Sequence, residues 1–106
     1  MAVRRYDKLV RDRIPDIIRE SGKEPVCRTA TQEEALDYLA RKLGEEAAEY
    51  LESRDAEELA DVLEVVFAIA AEKGITPEKL EEIRARKARE RGGFSGRIVL
   101  EEVRTP

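Results

Sequence analysis

Two short acidic patterns stand close together in the chain: "EEAAE", with Glu45, Glu46 and Glu49, and "ELAD", with Glu58 and Asp61. Glu46 and Glu49 are three residues apart, as are Glu58 and Asp61, so on helices each pair shares one side, beside an apolar stripe. Residues at the "SRD" break, Ser53 to Asp55, turn one run back on the other. At ~1.5 Å per residue both pairs then lie about 7 to 12 Å from the turn, at one level. Converging carboxylates resist ionising together, and a hard divalent cation is what compensates them. Mg²⁺, which takes six oxygens from carboxylates, waters and phosphates, fits that donor set. A blander reading stands beside it, with Asp55 and Glu58 as a capping box and Glu46 and Glu49 as a wet helix face. Glu52, Glu57 and Glu64 read as solvated or helix-end charge.

The elements that must position these acids are helical. A capping box, Thr31 with Glu34, opens a helix predicted from Thr31 to Glu52, where Leu36, Leu39, Leu43, Ala47 and Tyr50 step by three and four. A second long helix is predicted from Asp55 to Lys73, its broad apolar face built from Leu59, Val62, Leu63, Val66, Ile69 and Ala70 and closed by Gly74. Tyr50 and Phe67 fall on the core side by the same periodicity. Upstream, residues 1 to 13 read as an extended arm, followed by a short helix from Pro15 that ends before Gly22. Downstream, Thr76 and Pro77 start a helix that runs to Gly92, and "GRIVLEEV" is a strand candidate. The expected fold is all-α: a helical bundle built on a long antiparallel helix hairpin, with a short C-terminal strand and residues 1–106 as one domain.

Composition agrees and excludes other classes. Charged residues make up 42% of the 106, with 24 acids against 20 bases and a net charge of -4, which argues against a nucleic-acid polymer held by bulk charge. The absence of His and the lone Cys27 leave oxygen as the ligand for any metal site and rule out an internal disulfide. No apolar run of signal or membrane-spanning length occurs, so the expected setting is cytoplasmic, with no membrane partner. A chain this small would bury more on association, which leaves dimerisation open.

These motifs carry a resemblance. "EEAAE" followed by "ELAD" is similar to the paired EExxE and ExxD motifs of the MazG-like all-α nucleoside triphosphate pyrophosphohydrolases, a superfamily that includes dimeric dUTPases and phosphoribosyl-ATP pyrophosphatases. "YDKLVRDRIPDII" and "RKARERGGFSGRIVLEE" look like the ends of a small single-domain subgroup, so the likeness covers nearly the whole chain. It implies a Mg²⁺-dependent hydrolase that cleaves nucleotides between the α and β phosphates, releasing a monophosphate and pyrophosphate in nucleotide-pool housekeeping. It also implies a homodimer or dimer of dimers. Glu46, Glu49, Glu58 and Asp61 match the family's Mg²⁺ ligands, and Glu45 an accompanying acid that orients water or a second ion. Either Glu45 or Glu49 is then the candidate base.

Phosphate contacts need cations. Lys42 lies one turn before Glu46, and Lys8, Arg11, Arg13, Lys87 and Arg91 lie in the subgroup-like ends. The plain alternative for each is a surface charge paired with an acid. Two other functions keep the same acids or the same helices: a phosphoribosyl-ATP pyrophosphatase, and a non-catalytic helical interaction module.

Overall fold

A computed structural model describes residues 2–106, and the described residues are all-helical: α1 (Ile14–Glu20), α2 (Gln32–Ser53), α3 (Ala56–Glu72) and α4 (Pro77–Arg91). They divide into two compact units, the first ending at Ile75 and the second spanning Thr76–Pro106. Among the described residues no helix is long and apolar enough to cross a membrane.

The first unit is organised by α2 and α3, which pack on each other. The capping box forms at the start of α2: the Thr31 hydroxyl accepts from Glu34 N–H at 3.2 Å, and Glu34 Oε1 accepts from Thr31 N–H at 3.0 Å. Arg54 ends the helix with left-handed backbone (φ 62°), a conformation that costs a non-glycine residue on the order of 1 kcal/mol. Two bonds offset it: Arg54 N–H donates to Tyr50 O at 2.7 Å, and its Nε donates to Leu51 O at 2.8 Å. With only Arg54 and Asp55 between them, α3 must return along α2. At the far end Gln32 Nε2 donates to Glu72 O at 2.6 Å, joining the start of α2 to the end of α3, so the two run antiparallel.

Leu39, Val65 and Ala70 are the buried core of this hairpin. One helix does not cover the whole apolar face of α3. Leu59 and Leu63 stay 51% and 52% exposed, and Phe67, expected in the core, stays 39% exposed. The packed face of α3 differs from the predicted one: Val65, outside the predicted set, is buried with Ala70, so the helix turns the flank bearing Glu58 and Asp61 toward α2 and leaves Leu59, Leu63 and Phe67 uncovered, and on α2 Ala47 is exposed as well.

The Asp55–Glu58 capping box does not form. The Asp55 side chain makes no capping bond, and its N–H, which Glu58 would have had to satisfy, donates instead to Ser53 Oγ at 3.2 Å. The Glu58 carboxylate is therefore not spent on the helix end. In front of the hairpin, residues 2–13 are extended arm and turn, and α1 starts with Pro15 in its first turn and ends before Gly22, whose φ of +87° suits glycine.

The second unit is α4 and the tail. Thr76 Oγ1 accepts from Lys79 N–H at 3.1 Å, Pro77 opens the helix, and Gly92 N–H donates to Ala88 O at 2.7 Å to close it. The expected strand in "GRIVLEEV" is absent among the described residues, where Ile98 is 90% exposed and Val99, Leu100 and Val103 are exposed with it. A strand is held by a ladder to a neighbour, and no second strand exists among the described residues.

Candidate metal centre

Glu46 sits on α2, and Glu58 and Asp61 sit on α3, on the flank where the two helices face each other near their short link. Each offers a carboxylate oxygen, and these atoms lie within 4.8 Å of one another. In an octahedron with Mg–O near ~2.1 Å, ligand oxygens are separated by roughly 3 to 4.2 Å, so small side-chain adjustments would close the trio on one ion. The donor set, three hard oxygens with no nitrogen or sulfur, suits Mg²⁺ or Mn²⁺.

Electrostatics mark two of the three, Glu46 and Glu58. Partial desolvation raises the Glu46 carboxyl above its ordinary range, and Glu49 and Asp61 push it further, while Lys42 opposes them. Glu58 is raised in the same way by desolvation, then by Glu49, Asp61 and Glu46. Glu46 Oε2 is buried and has no hydrogen-bond partner. An uncompensated buried acceptor is costly to the fold.

The cations predicted from the sequence go to different places. Arg11 Nη2 donates to Asp61 Oδ1 at 2.8 Å, a charge-assisted bond that ties the arm to the acidic flank. Lys42 Nζ lies 3.8 Å from Glu46 Oε1 and is largely covered. Lys8 lies 5.8 Å from the Tyr6 ring centroid and lines a cleft of about 140 Å³ with Asp7, Tyr38, Arg41, Lys42 and Glu45. Arg13 is an exposed residue at the start of α1, and Lys87 and Arg91 are exposed residues of α4 in the second unit. Glu45 thus faces the cleft, whereas Glu49 stands beside the ligand trio.

Arg41 was not singled out by sequence reasoning. Its guanidinium stacks over Tyr38 at 5.7 Å and lines the cleft. The signal was available, since Tyr38, Arg41, Lys42 and Glu45 recur at helical spacing on α2 and lead toward Glu49.

The chain matches no protein-family model and no solved structure. Over 38 residues it is 53% identical to an uncharacterized protein of Mycolicibacterium smegmatis, a stretch covering 36% of this chain and 39% of that one. The chain thus spans about two fifths of the relative's length.

Proposed function

We propose that the chain is a Mg²⁺-dependent nucleotide pyrophosphohydrolase, in keeping with its resemblance to the MazG-like enzymes. The observation that carries the reading is the trio Glu46, Glu58 and Asp61, with ligand oxygens within 4.8 Å and one of them, on Glu46, belonging to a carboxylate with a buried and unpartnered oxygen. These residues would hold the ion. Bound there, Mg²⁺ supplies charge neutralisation for phosphate oxygens and acidifies a water.

The chain's own groups complete the chemistry. Glu49, outside the trio but acting on both Glu46 and Glu58, is the base that takes the water's proton. The water oxygen bonds to phosphorus as the α–β anhydride bond breaks, leaving a monophosphate and pyrophosphate. Lys8, Arg41 and Lys42 bring positive charge to the cleft that runs up α2 from the acids, and they are the side chains to receive phosphate oxygens. Incubation of the full chain with a nucleotide panel and Mg²⁺ should release pyrophosphate, and Glu49→Gln should slow release by at least a hundredfold. Absence of turnover on every nucleotide, phosphoribosyl-ATP included, would sink the enzymatic reading and leave the interaction module.

Association of two copies belongs to the same proposal. Leu59, Leu63 and Phe67 lie four residues apart on α3 and form an exposed apolar stripe that a second copy would cover. Sedimentation should give a dimer that Leu63→Lys dissociates; a monomeric wild type at tens of micromolar contradicts it.

A further inference from the structure

The acidic cluster already contains cations of its own. Arg11 Nη2 is bonded to Asp61 Oδ1 at 2.8 Å, and Lys42 Nζ stands 3.8 Å from Glu46 Oε1. Each cation addresses one oxygen of a candidate ligand and leaves the other. On Glu46 the remaining oxygen, Oε2, is the buried one without a partner.

Charge and geometry agree on what is left over. Glu46, Glu49, Glu58 and Asp61 carry four negative charges when ionised, and the two resident cations offset half of them. The remainder equals the charge of a single divalent ion. Centres that hold two ions place them ~3.5–4 Å apart, clamped by shared oxygens. A carboxylate that bridges them through both of its oxygens needs both free, and Asp61 has Oδ1 engaged by an arginine. The ligand trio is likewise sized for one octahedron, with its other positions left to water and phosphate.

We infer that Arg11 fills the place a second metal ion would take, so that the centre holds one divalent ion per chain and the amino-terminal arm is part of that centre. The inference rests on the metal reading proposed above. Arg11 acts through Asp61, so it is a positioning residue: it fixes the carboxylate by one oxygen and supplies a permanent positive charge there. The arm reaches this position from 50 residues away in the chain, which makes its docking and the metal's binding mutually dependent through one side chain.

Titration of the full chain with Mn²⁺, a paramagnetic ion of the same oxygen preference, counts the ions directly by electron paramagnetic resonance. Wild type should bind one Mn²⁺ per chain, with the spectrum of isolated ions. Arg11→Gln should bind two, with the broadening of a spin-coupled pair, and Arg11→Lys, which restores the charge, should return to one. Arg11 is 55% exposed, so both substitutions are accommodated, and an unchanged helical circular dichroism signal verifies it. Two ions in wild type, or one in Arg11→Gln, overturns the inference while leaving the metal reading intact. No bound Mn²⁺ in wild type overturns both and is a separate outcome.

Discussion

Glu34 and Glu46 belong to one helix and carry the same side chain, yet their surroundings are opposite. Arg28 grips Glu34 with two bonds, Nη1 to Oε1 at 3.1 Å and Nη2 to Oε2 at 2.8 Å, and Thr31 N–H adds a third at 3.0 Å. That hydrogen bonding to Arg28, followed by the bond from Thr31, holds the Glu34 carboxyl down at about 2. Glu46 has a distant lysine on one oxygen, nothing on the other, and acids around it, so its carboxyl moves up instead. An acid used by the fold has its lone pairs filled by the fold. An acid left open inside a cluster of its own sign is, under the proposed function, the one that an arriving ion would satisfy.

The sharpest way to break this contrast is to neutralise Glu46. Under the proposed function, Mg²⁺ at a hundred times its dissociation constant should stabilise the wild type by about 2.7 kcal/mol, and Glu46→Gln should lose most of that gain in a thermal melt. Without metal the sign reverses. Glu46→Gln should be more stable than wild type by roughly 1 kcal/mol at neutral pH, because it removes a desolvated, poorly partnered charge. A Mg²⁺ response equal in both proteins would remove Glu46 from the ligand set.

Substitution at the satisfied end should do the reverse. Thr31→Ala deletes the hydroxyl half of the capping box and should cost about 1 kcal/mol in urea unfolding, with the Mg²⁺ increment unchanged. If the increment changed too, the two ends of α2 would be coupled, and the division between fold acids and site acids would fail.

The smallest expected effect is in the pH dependence of the metal-free protein. Glu46 and Glu58 are raised in the folded state, so the folded state binds their protons more tightly, and stability should increase as pH falls from neutral toward the ordinary carboxylate value of 4.5. Glu34 is lowered, so its contribution is present above 4.5 and is lost as pH falls from there to about 2. Denaturant midpoints without metal should therefore peak near the ordinary carboxylate range. A monotonic decline from neutral pH downward would contradict the raised pair.

What could be read from the sequence follows the range of the interactions. Helices α2 and α3, the capping box at Thr31 and the pairing of acids at three-residue spacing are local patterns, visible within one or two turns. The bond between Arg11 and Asp61 was not legible, because it joins an aperiodic arm to a helix across 50 residues, and nothing in the arm's pattern names its partner. Asp55 and Glu58 have the spacing of a capping box, but Ser53, outside that motif, takes the bond. The tail from Arg97 to Val103 reads locally as a strand candidate, yet a strand depends on a neighbour that a local pattern does not report. Phe67 shows the same limit on a helix: periodicity says which face is apolar and is silent about what covers it.

The two-residue link between α2 and α3 also sets an order of events in folding. Glu46, Glu58 and Asp61 come from neighbouring turns of one hairpin, so closing that hairpin brings them together at little cost in chain entropy and on the timescale of local contacts. Arg11 must close a much longer loop to reach Asp61. Loop length alone therefore predicts that the acids meet before the arginine arrives, at a stage where Arg11 does not yet offset their mutual repulsion. Divalent ions present at that stage should speed the folding of the hairpin itself, in addition to stabilising its final form.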